Sequence, residues 1–139
     1  MKKVFLDTNI LIDFIQKREN FSDAVGIWKK ADAGEIELFV STLSYSNIAY
    51  ILRNLPQAEL YKYLKILIKG INMIALEPRH VLSAVANPVR DFEDMLQYQC
   101  AFAAGCDVIV TNNTKDFREF CKLPLMTSRE FLLQFFSEQ

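Results

Sequence analysis

Short apolar runs of strand length alternate along this chain with longer segments of helical periodicity, and this alternation constrains the fold more than any other feature. Strands are predicted at residues 4–6, 36–40, 71–75, 108–110 and 123–126. Strands that alternate with helices form a mainly parallel sheet covered on both faces. The sequence therefore predicts an α/β fold, and a length of 139 residues predicts one domain, residues 1–139.

Helices are predicted where apolar residues recur at helical spacing between residues that begin or end helices. They are expected after a turn that follows Asp7, and at about 22–33, 41–54, 56–70, 79–86, 91–104 and from Thr127 onward. Residues 111–115 are predicted as a polar loop. The stretch 95–104 is apolar or small on nearly every face except for Gln97 and Gln99, so this helix is expected to be buried.

The few cysteines and the single histidine exclude several kinds of site. Three cysteines, an odd number in a chain large enough to fold without disulfides, indicate reduced thiols and a cytoplasmic protein. Their spacing matches no zinc pattern, and His80 is the only histidine, which disfavours structural zinc, a Ser/His/Asp triad and a Cys/His pair. No apolar stretch approaches the roughly 20 residues that span a bilayer, so no membrane association is predicted.

Acidic side chains lie beside strand ends in three separate parts of the chain. Asp7 follows the first strand, Asp116 follows the fourth, and Asp91 and Asp94 begin the helix that returns to the same edge. The functional crevice of a parallel sheet lies at the carboxyl ends of its strands, so these side chains are expected to converge. Mg²⁺ and Mn²⁺ prefer carboxylate oxygens and support phosphoryl displacement. A metal-dependent nuclease site on Asp7, Asp94 and Asp116 is therefore predicted.

Each of these acids also has a structural explanation. Asp91 and Asp94 have the spacing of an N-cap residue and a first-turn residue of one helix. Asp116 suits a turn or a helix cap. Asp7 is the acid that structure alone explains least. The formal net charge of −1 provides no broad basic face, so binding of a nucleic acid would have to be local or assisted by a metal ion.

Three blocks of the sequence resemble the signature blocks of the PIN-domain family, and most closely those of the small bacterial VapC-type toxins. They are residues 6–11 (LDTNIL), 91–94 (DFED) and 110–117 (VTNNTKDF). The resemblance implies a three-layer α/β/α fold with a five-stranded parallel sheet of order 3-2-1-4-5. It also implies an endoribonuclease that depends on Mg²⁺ or Mn²⁺, an RNA substrate, frequent homodimers and an antitoxin protein as partner.

Carried over residue by residue, the resemblance implies that Asp7 is the first metal ligand, Asp94 the third acid and Asp116 the fourth. The residues expected to support them are Asn9, Asn47, Asp91, Thr111 and Asn112. The second acid of the family is a glutamate on the helix after strand two, and Asn47 stands at that position. No residue from 40 to 56 is acidic, so affinity for a cation is expected to be reduced, with Asp91 as a candidate for partial compensation.

Three functions therefore stay open. The first is a ribonuclease, and the second is a degenerate PIN domain that binds RNA or a protein without catalysis, which the neutral Asn47 favours. The third is a haloacid-dehalogenase-like phosphatase or a phospho-receiver domain, which also has an aspartate after strand one. A phosphatase needs a second aspartate where Asn9 stands, and a receiver needs acids that residues 1–3 lack.

Overall fold

The computed structural model describes the backbone of residues 1–137 and the side chains of residues 1–135. The strands are β1 (Lys2–Leu6), β2 (Ile36–Ser41), β3 (Asn72–Ile74), β4 (Val108–Val110) and β5 (Leu125–Met126). The helices are α1 (Thr8–Gln16), α2 (Phe21–Asp32), α3 (Thr42–Ile51), α4 (Gln57–Gly70), α5 (Pro78–Ala86), α6 (Phe92–Ala103), α7 (Thr114–Arg118) and α8 (Ser128–Ser137). None of the helices in this described part is long and apolar enough to cross a membrane.

All the strand pairs are parallel, and the sheet has the order β3-β2-β1-β4-β5. This order confirms the expected topology. Val4 pairs with Leu38 on one side and with Val108 on the other, so β1 lies at the centre of the sheet. A central position buries both faces of a strand, which explains why residues 4–6 of β1 are a continuous apolar run rather than an alternating one.

Successive residues of β1 point to opposite faces of the sheet and enter different cores. Val4 and Leu6 pack into a core with apolar residues of α1, α2, α3, α4 and α8. Phe5 packs into a second core with residues of α5, α6 and α7, and these three strand residues have no exposed surface. Helices therefore cover both faces of the sheet, which confirms the three-layer α/β/α architecture.

Three local predictions were wrong. No turn separates β1 from α1, because Asp7 caps the helix directly by accepting a hydrogen bond from the Thr8 backbone N–H. The loop predicted at 111–115 ends early, since α7 begins at Thr114 and contains Asp116. On α6 the predicted burial is also partly wrong, because Phe102 is 54% exposed, although Gln97 is fully buried as the prediction requires.

Candidate active site

One cavity of about 240 Å³ collects acidic side chains from three separate elements. The acidic residues that line it are Asp7, Asp91, Glu93, Asp94 and Asp116. Asp7 follows β1, Asp94 lies in the first turn of α6, and Asp116 lies in the first turn of α7, shortly after β4. Because β1 and β4 are parallel neighbours, both elements that follow them begin at the same edge of the sheet. The structure thus brings the three predicted acids together, and their roles as metal ligands stay a prediction.

Asp7 is held by donors on both of its carboxylate oxygens. Its Oδ1 accepts from the Thr8 backbone N–H at 2.8 Å, while its Oδ2 accepts from the Thr111 hydroxyl at 2.8 Å and from the Asn9 side-chain amide at 3.1 Å. Only 6% of Asp7 is exposed. A carboxylate offers about four acceptor positions. Three donors therefore fix the orientation of Asp7 and leave capacity for one further bond, such as one to a cation.

Asn112, another predicted supporting residue, acts outside the cavity. Its side-chain amide donates to Asp13 Oδ2 at 2.9 Å, and its Oδ1 accepts from the backbone and the hydroxyl of Ser128, each at 3.2 Å. Its backbone N–H donates to Asn9 Oδ1 at 3.3 Å. These bonds tie the segment after β4 to α1 and to the start of α8. Asn112 thereby holds the rim from which Thr111 reaches Asp7.

Asp91 has both of the features that the sequence suggested. Its Oδ1 accepts from the Asp94 backbone N–H at 3.2 Å, so it is the N-cap of α6, and it also lines the cavity. Capping uses part of its acceptor capacity. Asp91 is therefore a weaker source of compensating charge than the sequence alone indicated.

Burial and mutual repulsion make the charged forms of the central acids costly. The pKa of Asp94 is raised to about 7, mainly by burial and in addition by the nearby charges of Asp7, Asp91, Asp116 and Glu93. Burial also raises the pKa of Asp7 to about 6, although hydrogen bonds from Thr111 and Thr8 oppose this rise. A cation would relieve both the desolvation and the repulsion.

The donor set of the cavity suits a hard divalent cation. Carboxylate oxygens are ligands that Mg²⁺ and Mn²⁺ prefer, and the described lining contains no histidine or cysteine. Within the described residues, however, no group of three His, Cys, Asp or Glu side chains is close enough to hold a metal ion as it stands. The residue types therefore fit the cation, and its coordination would require Asp94 and Asp116 to move toward the fixed carboxylate of Asp7.

Asn47 lies beside the cavity and contacts an acid that the sequence analysis did not single out. Its side-chain amide Nδ2 donates to Glu93 Oε1 at 2.7 Å, and Glu93 lines the cavity. Burial raises the pKa of Glu93, with a further contribution from Asp91. The signal in the sequence was present, because Glu93 lies inside the DFED block, but an acid in the first turn of a helix is usually explained by the helix dipole.

Basic side chains also lie at the site, and sequence analysis did not predict them. Arg18, two residues after the end of α1, lines the acidic cavity. Arg90 and Lys115 line an adjoining cavity together with Asp91 and Asp116. The acidic centre thus has cationic groups at its border, and such groups form charge-assisted hydrogen bonds with carboxylate or phosphate oxygens.

The fold and the cavity together define a class: a parallel α/β domain with an oxygen-rich acidic site at the carboxyl edge of its central strands. A family profile described as PIN domain matches residues 3–115. The chain belongs to the PIN-domain family. Asp7 and Asp94 lie within the matched residues, and Asp116 follows them directly.

The chain is also similar to individual proteins over most of its length. Ribonuclease VapC1 of Aquifex aeolicus (strain VF5) is 24% identical over 136 residues, which cover 94% of this chain and 93% of that protein. The structure of VapBC2 from Rickettsia felis bound to a DNA fragment from their promoter matches with a TM-score of 0.67, at 17% identity, over 88% of this chain and 96% of the other. A toxin–antitoxin complex from Klebsiella pneumoniae matches with a TM-score of 0.67, at 19% identity, over 90% of this chain and 97% of the other.

Proposed function

We propose that this chain is an endoribonuclease that depends on Mg²⁺ or Mn²⁺ and acts as the toxin of a toxin–antitoxin pair. The observation that carries the proposal is the convergence of Asp7, Asp94 and Asp116 on one cavity from three separate elements. The raised pKa values of Asp7 and Asp94 support it, because burial and neighbouring like charges make their ionised forms unfavourable without a counterion. The similarity to a ribonuclease over 94% of the chain supports the same chemistry.

In this proposal Asp7, Asp94 and Asp116 hold the cation. When bound, it supplies charge stabilisation for phosphate oxygens and activation of water. The other residues prepare the site for it. Thr111 and Asn9 fix the Asp7 carboxylate through its Oδ2, so the side chain loses little further freedom when a ligand binds.

RNA binding would be local, since the formal net charge is −1. Arg18 in the acidic cavity and Arg90 and Lys115 in the adjoining one provide cationic donors for phosphate groups of the RNA. The metal-binding acids repel a bare polyanion, so RNA is expected to bind well only when the cation is present.

An antitoxin protein is the partner that we propose, because several solved structures similar to this chain are of toxin–antitoxin assemblies. Such a partner would block RNA cleavage by covering the acidic cavity. A small open reading frame beside the gene for this chain is expected to encode it. Homodimer formation and a cytoplasmic location stay predictions of the sequence.

The test is cleavage of an end-labelled single-stranded RNA by the purified protein with Mn²⁺, with and without EDTA. Asp7→Asn removes one charge at constant shape and is expected to lower the rate at least about 100-fold. Asp107→Asn is the matched control, because Asp107 lies just before β4, at the opposite edge of the sheet from the cavity. Cleavage that persists in EDTA or in Asp7→Asn would contradict the proposal.

The alternative is a PIN domain that binds RNA or a protein without cleaving, and the observation that favours it is the uncharged Asn47. The same assay separates the two functions. RNA that is retained by the wild-type protein in a Mn²⁺-dependent gel shift, and stays uncut, would establish the alternative.

A further inference from the structure

We propose that Glu93 supplies the carboxylate that Asn47 does not provide, and that Asn47 acts as a positioning residue for it. This inference rests on the proposed metal-dependent function, and it assigns that function a further ligand. The site would then use an acid from α6 in place of one from α3. The site would then keep the same number of carboxylates, with one of them on α6 instead of α3.

The hydrogen bond between Asn47 and Glu93 is the contact that carries this inference. It joins the side-chain amide of α3 to the carboxylate of α6 at 2.7 Å, across a separation of 46 residues in sequence. Asn47 is partly buried, and Glu93 lines the same cavity as Asp7, Asp94 and Asp116. The neutral side chain at position 47 therefore holds an acid in the region where an acid at 47 would itself lie.

The chemistry of the two groups suits this exchange. An amide N–H donates and a carboxylate accepts, so Asn47 can fix Glu93 without competing with it for a cation. The bond uses one oxygen of Glu93 and leaves the other for a metal ion. A glutamate at position 47 would instead place two like charges in contact, which is unfavourable without a cation. Asn47 is thus compatible with a charged Glu93 in a way that glutamate is not.

The other acids on α6 are less suited to this role. Asp91 caps its own helix through Oδ1, whereas the side-chain hydrogen bond of Glu93 crosses to another helix. Asp94 already occupies the position of a predicted ligand. Among the described residues, no ion pair neutralises Glu93, so its charge is left for a cation.

The experiment is titration calorimetry with MnCl₂ on the full-length protein and four variants. Glu93→Gln keeps an acceptor for Asn47 but removes the charge, and it is expected to weaken Mn²⁺ binding about 10-fold. The charge swap Asn47→Glu with Glu93→Gln returns the carboxylate to α3 and is expected to restore affinity to within about threefold of wild type. Glu59→Gln makes the same change at an exposed start of α4 and should bind like wild type.

Asp7→Asn is the fourth variant, and it distinguishes failure of the Glu93 inference from failure of the proposed metal-dependent function. If wild type binds Mn²⁺ and Asp7→Asn does not, while Glu93→Gln binds as tightly as wild type, the inference is overturned and the proposed function stands. If the swap fails to recover what Glu93→Gln loses, Glu93 is not a substitute for the acid at 47. Absence of binding to wild type would overturn both proposals.

Circular dichroism would reveal whether Glu93→Gln fails to fold, and a further variant keeps the inference testable in that case. Asn47→Ala removes the positioning amide and leaves the charge of Glu93 intact. It is expected to weaken Mn²⁺ binding about threefold, because Glu93 would have to be ordered on binding. Wild-type affinity in Asn47→Ala would overturn the positioning role of Asn47.

Discussion

Asp7 has a structural and a proposed chemical role, and one side chain can fill both because its oxygens are used differently. Oδ1 caps α1, and Oδ2 accepts from Thr111 and Asn9. Strand order predicted the position of Asp7, and the resemblance to the PIN-domain family implied Thr111 and Asn9 as its supporting residues. The sequence could not predict which oxygen each donor contacts, since that depends on side-chain geometry across 104 residues of sequence.

The pKa values of Asp7 and Asp94 predict how the metal-free protein responds to pH. Burial and neighbouring acids raise both pKa values above the ordinary 3.8 of an aspartate, to about 6 and about 7. Stability from these groups is therefore fully present below about pH 3.8 and is lost as pH rises through 6 and 7. We expect Asp94→Asn to raise the free energy of unfolding at about pH 8 by roughly 1–2 kcal/mol, and to leave it unchanged at about pH 4.

Urea unfolding at the two pH values, without metal, measures this difference. Mn²⁺ at about pH 8 should reverse the order, because it stabilises the wild type and not the variant. A wild type that is the more stable protein at about pH 8 without metal would show that burial and repulsion do not penalise the charged Asp94 as described.

At the scale of elements, a buried polar network joins the helices that carry the site. Gln97 on α6 accepts from the Ser41 hydroxyl at 2.7 Å and donates to the hydroxyls of Thr8 and Ser44, each at 3.2 Å. Thr8 and Ser44 share a further hydrogen bond at 2.9 Å. The network connects α1, α3 and α6, so it sets the distances between Asp7, the start of α6 and the helix of Asn47.

Gln97→Ala is expected to destabilise the protein by about 2–4 kcal/mol, because it leaves the Ser41 hydroxyl without its acceptor and opens a cavity. Gln99→Ala is the matched control on the same helix, since Gln99 is only partly buried and has a single long contact to the Met95 sulfur. Its expected cost is below about 1 kcal/mol. Thermal unfolding of Gln97→Ala and Gln99→Ala measures the two losses of stability. Equal destabilisation would contradict a structural role for the network.

Elements with a strong apolar pattern were predicted well, and polar ones were not. Residues 4–6 of β1 and 108–110 of β4 are buried on both faces, so they are continuous apolar runs that differ clearly from helices. The helix α7 has only five residues, which is too short for periodicity to be recognised. Gln97 was an exception to the apolar pattern of α6, and periodicity could not reveal the three hydroxyl partners on other elements that satisfy its buried amide.

At the scale of the whole molecule, the order of the strands creates the site. The neighbours β1 and β4 bring Asp7 and Asp116 to one edge, and the antiparallel return of α6 adds Asp94. The sequence pattern predicted a mainly parallel sheet, and the resemblance to the PIN-domain family implied its strand order, so the central acids could be found without coordinates. Glu93 could not, because its place in the site depends on a contact with Asn47 rather than on strand order.

Anomalous diffraction from crystals soaked in MnCl₂ at about pH 8, recorded near the manganese absorption edge, tests the central claim most directly. That pH keeps the acids of the cavity ionised in spite of their raised pKa values. We expect a manganese peak inside the cavity, about 2.2 Å from carboxylate oxygens of Asp7, Asp94 and Asp116. A cavity without a peak, or manganese bound only elsewhere on the protein, would contradict the assignment of this acidic cavity as a metal-dependent nuclease site.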